Sequence, residues 1–257
     1  MELSELQITA FIQQYYLPFV RIGAMLMVMP VIGSRLVNPR VRLVLAVMVS
    51  LLSVPLLPPM PQLELLSMSG FGFIIQEAAV GLIIGFTFQI IFQMFVLSGQ
   101  YIAMKMGLGF ASMNDPTNGV QTTVLSQFFL MMVTLMFVVS NGHLTLLAFV
   151  VESFQVLQPG NFYLKPAVFI EVASLGGWMF ASALVFALPV VTSLLFVNIA
   201  FGVMSRAAPQ LNIFAIGFPI TLMCGLFLVW LGLSNFSDIY ENTMSFGFYQ
   251  IDRLINL

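Results

Sequence analysis

The sequence predicts an all-α protein of the integral-membrane type, built from helical hairpins with about six long, kinked apolar helices. Of its 257 residues, 60% are hydrophobic and only 7% are charged, whereas soluble domains carry about 25% charged residues. The apolar residues cluster in stretches near or above the roughly 20 residues that cross the hydrocarbon core of a bilayer. Prolines lie inside or at the ends of these stretches, where each removes a backbone donor and favours a kink.

Six apolar stretches account for most of the chain. They cover residues 8–32, 41–57, 71–103, 124–151, 175–203 and 213–233. Unpaired backbone groups are costly in lipid, so each stretch predicts a helix. The last two stretches flank a short segment at 206–210 and predict a helical hairpin. The tail after residue 233 carries several charges, which leaves open whether it folds back on the chain.

Basic residues are concentrated in alternate connections between the stretches. Only Lys165 and Arg253 lie in the even-numbered connections and the tail. The odd-numbered connections hold Arg35, Arg40, Arg42, Lys105 and Arg206. Because cytoplasmic loops carry an excess of Lys and Arg, this distribution places the odd-numbered connections in the cytoplasm.

The residues needed for catalysis or metal binding are scarce. The sequence has no Walker A, GxSxG or HExxH pattern, and it has one histidine and one cysteine. We therefore predict that the chain is not an enzyme, that it has no catalytic or metal site, and that it binds no cofactor. The formal net charge of −2 gives no reason to expect nucleic acid. We interpret His143 as structural, because a proton relay needs partner carboxylates at membrane depth.

Two ionisable residues lie inside apolar stretches. Arg21 is in the first stretch, and Glu77 is about two turns into the third. A lone charge in hydrocarbon costs at least ~2.5 kcal/mol, so intramembrane charges have partners and are functional candidates. One interpretation pairs Arg21 with Glu77 to fix two helices against each other, and another sets each against a neighbouring subunit. A transporter-type ion path would have more such groups, so we favour pairing.

The third stretch also carries small and polar residues at helical spacing. Gly81 and Gly85 have the small-xxx-small spacing that lets two helices approach closely. They predict a protein-covered face, either in a helix contact within the chain or at a subunit interface. Gln89, Gln93 and Gln100 share one face of the same helix. That face either lines a polar path or contacts other helices, and the sequence does not distinguish the two.

The connection at 106–122 combines loop-forming and apolar residues. It contains several Gly, Asn and Pro residues together with Met106, Leu108, Phe110 and Met113. A loop exposed only to water would not need that apolar content. We therefore expect this loop to contact protein or to occupy a confined space.

Several segments together resemble the FliR family of flagellar export proteins, which is similar to the export-apparatus T protein of injectisomes. Their order and spacing cover almost the whole chain, except for about the last twenty residues. The segments are LPFVRI at 17–22 with Ala24, PVIGSR at 30–35 followed by PRVR at 39–42, KMGLGFA at 105–111 followed by Asp115-Pro116, NGHL at 141–144, and APQLNIFAIGFP at 208–219.

The resemblance implies a subunit of a flagellar type III export gate in the bacterial inner membrane, at the flagellar basal body. Its implied partners are FliP-like and FliQ-like subunits, FlhB and FlhA, membrane lipid, and the unfolded flagellar proteins that pass through the gate. FliR-like chains resemble a FliP-like part followed by a FliQ-like part. On that basis residues 1–170 correspond to the first part, and 171–257 to the FliQ-like hairpin with the C-terminal tail.

The resemblance also assigns a role to the loop at 106–122. In the family the matching loop projects into the channel as a plug, which Gly107 and neighbouring glycines would keep flexible while Met and Phe side chains seal the passage. The alternative is a packed loop with no gating role. The implied plug residues are Met106, Gly107, Leu108, Phe110, Met113 and Asp115, and the implied subunit or entrance contacts are Arg206, Pro209 and Gln210.

Another class of function fits the composition, namely a secondary transporter or channel subunit. Such a protein would produce flux when the purified chain alone is reconstituted in a membrane. A gate subunit would instead co-purify with sister subunits. A membrane-embedded enzyme would need a carboxylate or histidine cluster, which the sequence lacks.

Overall fold

A computed structural model describes residues 5–34, 36–58, 67–108, 123–160, 164–207 and 213–256. Within these ranges all regular structure is helical, so the predicted all-α class is confirmed. The α-helices are α1 (Glu5–Val28), α2 (Pro39–Ser53), α3 (Met68–Lys105), α4 (Val124–Val139), α5 (Gly142–Val156), α6 (Pro166–Ala207), α7 (Ile213–Gly232) and α8 (Phe236–Ile255). Short 3-10 turns follow α2 at Val54–Leu56 and α7 at Leu233–Asn235.

Among the described residues, four segments are long and apolar enough to cross a membrane. They are Pro39–Leu56, Gly70–Lys105, Pro166–Ala207 and Gly217–Ile255, and the pair formed by α4 and α5 would make a fifth. Helix α1 is not among them, because the glutamines, tyrosines and Arg21 between residues 13 and 21 lower its hydropathy. The chain is therefore a helical protein of the integral-membrane type, and its described residues contain four or five candidate spans.

The fourth predicted stretch is divided into two helices at Asn141. Asn141 adopts a left-handed conformation with φ 57°, which asparagine tolerates better than most residues. A Cβ on Gly142 would overlap the ring of Phe137, so a larger residue there would have to displace that buried ring. The pair is bent by 66°, which explains why the NGHL segment interrupts an otherwise apolar sequence.

The connection between α1 and α2 is closed by specific polar contacts. The side chain of Asn38 accepts a hydrogen bond of 3.0 Å from the Arg40 backbone N–H, and Pro39 occupies the first helical position, which suits its fixed φ. The Arg42 guanidinium donates to the carbonyls of Ser34 at 2.6 Å and Val37 at 2.9 Å. The PRVR segment therefore begins α2 and also holds the preceding turn.

The tail after residue 233 forms an additional helix, α8, which lies outside the six predicted apolar stretches. Its buried apolar residues, Phe236, Tyr240, Met244, Ile251 and Leu254, are separated by four, four, seven and three positions, which places them on one face of the helix. The other side carries charges and is exposed, so the average hydropathy is low although the periodicity is strongly helical.

The chain divides into two compact units. Unit 1 comprises Met1–Ile90, Met136–Leu175 and Phe246–Leu257, and unit 2 comprises Ile91–Leu135 and Gly176–Ser245. In unit 1, Phe248 packs against Phe88 and Phe149 with ring centroids at 4.8 and 5.6 Å. In unit 2, Phe95, Phe129, Phe186 and Phe236 form a cluster with centroid distances of 5.5 to 6.2 Å. The boundary expected near residue 170 rests on resemblance to sister subunits and stays a prediction.

Candidate functional site

The structure brings Arg21 and Glu77 together in the interior of unit 1. The guanidinium makes two bonds to the carboxylate, from Nε to Oε2 at 2.7 Å and from Nη2 to Oε1 at 3.0 Å. Both residues are fully buried. This two-bond geometry is the strongest arrangement available to an arginine and a carboxylate, and it joins α1 to α3.

Arg21 also contacts the C-terminal part of α5. Nη1 donates to Ser153 Oγ at 2.9 Å, and Nη2 donates to the Leu157 carbonyl at 2.8 Å. The Phe154 ring lies 3.9 Å from the guanidinium carbon, within the range of a cation–π contact. Because Leu157 follows the last residue of α5, its carbonyl has no helical partner, and the positive charge of Arg21 suits that end of the helix dipole. One arginine thus connects α1, α3 and α5.

Gly81 and Gly85 lie on the same face of α3 as Glu77 and contact the backbone of α1. A Cβ on Gly81 would overlap the Arg21 carbonyl oxygen. A Cβ on Gly85 would lie 2.8 Å from the Met25 carbonyl oxygen and 3.1 Å from the Met29 nitrogen. The two glycines therefore permit the close approach of α1 that places the Arg21 side chain beside Glu77.

The start of the 106–122 loop is a well-formed helix end in unit 2. At the end of α3, the Gly107 N–H donates to the Met104 carbonyl at 3.2 Å and the Leu108 N–H to the Ala103 carbonyl at 2.9 Å. This bond pair is a Schellman motif, which needs a left-handed residue at the position of Gly107, and Gly107 has φ 83°. Met106, just before it, is fully buried.

The end of the same loop is also fixed. Thr123 precedes α4, and its side chain accepts a 3.3 Å hydrogen bond from the Ser126 N–H, as a helix N-cap does. A Cβ on Gly99 would lie 2.7 Å from Ser126 Cα, so α3 and α4 are in backbone contact near the two ends of the loop. Gly107 and Leu108 are half-buried. Phe110, Met113 and Asp115 lie outside the described residues.

The remaining predicted residues are in less constrained surroundings. Arg206 is exposed near the end of α6, and Pro209 and Gln210 fall outside the described ranges. Gln93 is exposed, whereas Gln89 and Gln100 are half-buried, as is His143.

Unit 2 contains a cavity of about 330 Å³ between α6, α7 and the start of α8. Its described lining residues are apolar except Ser193 and Asn235, and the Ser193 hydroxyl donates to the Pro189 carbonyl at 2.8 Å. Over the described ranges, no group of three or more His, Cys, Asp or Glu residues could hold a metal ion.

Four contact residues of these sites were not identified from the sequence. Ser153 and Leu157 lie 132 and 136 residues from Arg21, too far apart for any local pattern to relate them. Gly99 and Gly225 are isolated glycines in apolar helices, and a Cβ on Gly225 would lie 2.5 Å from Cγ of Met106. Such glycines indicate a close contact, but nothing in the sequence identifies the neighbour.

Comparisons with known proteins identify the family. A family profile described as "Bacterial export proteins, family 1" matches residues 12–246. The chain is 34% identical over 235 residues to flagellar biosynthetic protein FliR of Pectobacterium carotovorum subsp. carotovorum, covering 91% of this chain and 90% of the relative. It is 34% identical over 229 residues to FliR of Escherichia coli (strain K12), covering 89% and 87%. It is 27% identical over 247 residues to FliR of Bacillus subtilis (strain 168), covering 95% of both. The chain therefore belongs to the FliR family of bacterial flagellar export proteins.

Proposed function

We propose that this membrane-embedded flagellar export protein is a core subunit of the export gate, that it forms part of the conduit for unfolded flagellar proteins, and that residues 106–122 plug the conduit. Family membership already establishes a role in flagellar biosynthesis and export. The proposal adds the position of the chain in the apparatus and the role of the loop.

The length of the exposed apolar surface of α6 is the observation that carries the proposal. Helix α6 has 42 residues, which corresponds to about 63 Å at 1.5 Å per residue, twice the roughly 30 Å of a hydrocarbon core. Large apolar side chains are exposed from Phe169 through Phe196 to Met204. Lipid alone does not cover a surface of that length, so part of it requires protein neighbours.

The family to which the chain belongs leads us to assign sister subunits as these neighbours. We assign them as FliP-like and FliQ-like chains, with FlhB and FlhA alongside, in the bacterial inner membrane at the flagellar basal body. Arg206, Pro209 and Gln210 would then contact subunits at the cytoplasmic entrance, between α6 and α7. The positive charge of Arg206 at an exposed helix end is in keeping with a cytoplasmic position.

The two fixed ends of the 106–122 loop support the plug assignment. A plug must be attached firmly to the channel wall while its middle yields to a passing chain. The Schellman motif at Gly107 and the Thr123 cap supply such attachments. Met and Phe side chains suit a pliable seal, because methionine adapts to irregular surroundings.

Co-purification tests the gate assignment. We expect the tagged chain, expressed with FliP-like and FliQ-like subunits, to be extracted with both in one stable complex. Replacing Phe169 and Ile170, both exposed on α6, by lysine should reduce recovery of the partners, whereas lysine at Ser237, on the exposed charged face of α8, should not. If the chain is instead extracted alone and produces solute flux in liposomes without partners, the transporter alternative is correct.

Shortening the loop tests the plug. We expect deletion of 109–115, which retains the helix end at Met106–Leu108, to leave the complex assembled and to let small solutes leak across the membrane. A second variant replaces the same seven residues by glycine and serine, which keeps the length and removes Phe110 and Met113. Leakage is measured in cells that contain the whole gate, and co-purification verifies assembly. An assembled gate that does not leak in either variant contradicts the plug.

A further inference from the structure

The start of the loop is seated on α7, through a contact that neither the family nor the sequence motifs assign. A Cβ on Gly225 would lie 2.5, 2.8 and 2.9 Å from Cγ, Sδ and Cε of Met106. The end of the methionine side chain thus occupies the volume that any larger residue at position 225 would need. Met106 is fully buried, so this notch in α7 encloses it.

A second contact from the same face of α7 reaches the next residue of the chain. A Cβ on Gly107 would lie 3.0 Å from Cδ2 and Cε2 of Phe218. Phe218 and Gly225 are seven residues apart, which is two helical turns, so they share one face of α7. Thr221, Gly225 and Val229 of that face are buried, whereas Phe218 is 48% exposed and covers Gly107 at the edge of the contact.

The hydrogen bonds at the end of α3 link the position of Met106 to the direction of the two residues that follow it. Met106, Gly107 and Leu108 donate to Ile102, Met104 and Ala103, so the three residues move together. Because the Met106 side chain is fully buried, the part of the crowding at 225 that its rotation does not relieve moves the backbone of Met106 and, with it, Gly107 and Leu108. The notch therefore determines where the chain leaves α3 and in which direction it continues.

We propose that Gly225 is a positioning residue for the loop. The notch formed by Gly225 and Phe218 fixes where Met106 and Gly107, the first residues of the loop, lie along α7. The positional part of this inference rests only on the contacts of Met106 and Gly107. Its consequence for sealing rests on the proposed plug function. A gate with Met106 displaced from the notch holds its loop in the wrong place and seals poorly.

The experiment measures the exposure of residue 108 directly, as the rate at which the thiol of the Leu108→Cys variant reacts with a maleimide. Cys224, the one cysteine of the sequence, is first replaced by serine. In the assembled gate, Gly225→Ala is expected to change the labelling rate several-fold, because Leu108 is half-buried and its exposure depends on the position of Met106. Gly232→Ala, on the same helix with open space around the added Cβ, should leave the rate unchanged.

A second variant keeps the test decisive if Gly225→Ala prevents assembly. Met106→Ala empties the notch without crowding it and should also change labelling at Leu108→Cys. The two changes act through one contact, so the double variant should deviate from the product of the single effects. Unchanged labelling in assembled gates containing Gly225→Ala or Met106→Ala overturns the inference.

Leakage separates this inference from the plug proposal. We expect Gly225→Ala to raise solute leakage in the natural loop and to add nothing when 109–115 are already replaced by glycine and serine. Altered labelling without altered leakage supports the notch and counts against the plug. Leakage from the loop variants with unchanged labelling in Gly225→Ala supports the plug and counts against the notch.

Discussion

Replacing Glu77 by glutamine is expected to lower the free energy of unfolding by about 3–5 kcal/mol, the cost of leaving a buried charge without its partner. The carboxylate accepts two hydrogen bonds from Arg21, and both side chains are inaccessible. A neutral amide of the same shape keeps the volume and removes the opposite charge. The loss is measured by unfolding the purified chain in mixed micelles with increasing denaturing detergent.

A second ion pair provides the matched control. Arg253 and Glu171 are 3.0 Å apart, with 47% and 25% of their side chains exposed. Exposed pairs contribute about 0–1 kcal/mol, so Glu171→Gln should change the stability little. Replacing both buried charges, with Arg21→Met and Glu77→Met together, should recover much of the loss, since well-packed apolar residues often substitute for a buried pair. Equal effects of Glu77→Gln and Glu171→Gln would show that the buried pair has no special role.

Adding a single methyl group at Gly81 is expected to have the next largest effect. The Cβ of Gly81→Ala would overlap the Arg21 carbonyl oxygen, which is backbone and does not rotate away. Helix α1 must then shift from α3, which stretches the Arg21–Glu77 bonds as well. Overpacking of this kind costs about 1–3 kcal/mol, and the same detergent titration measures it.

Gly72→Ala is the control for that substitution, because it lies in the same helix with open space around the added Cβ. Alanine is preferred to glycine in a helix by up to about 1 kcal/mol, so Gly72→Ala should be neutral or stabilising. The two glycine substitutions therefore have opposite expected signs. A loss at Gly72 as large as at Gly81 would indicate that glycine matters for flexibility of α3 rather than for contact with α1.

The helical class and the positions of most helices follow from the sequence, because lipid forces an apolar segment to satisfy its own backbone. The same reasoning identified Arg21 and Glu77, since two charges in apolar stretches need partners. It also identified Gly81 and Gly85 from their spacing. Each of these signals lies within a short segment, or follows because lipid cannot form hydrogen bonds with the backbone.

Two kinds of feature could not be predicted from the sequence: contacts between distant segments, and a helix whose averaged hydropathy is low. Helix α8 was missed because only one of its faces is apolar, which lowers a windowed hydropathy while leaving the period intact. The partner of Met106 was missed because Gly225 is more than 100 residues away and looks like any glycine in an apolar helix. Roles for Phe110, Met113 and Asp115 rest on the family resemblance, and they stay predictions.

The three-helix contact of Arg21 also has a consequence for the order of synthesis. Glu77 follows Arg21 by 56 residues and Leu157 follows it by 136. At roughly 5–20 residues per second, the ribosome needs about 3–11 s to deliver the first partner and about 7–27 s to deliver the second. During that interval the guanidinium is most stable near interfacial water rather than in hydrocarbon. Helix α1 can therefore complete the contacts of Arg21 only after α5 has been made.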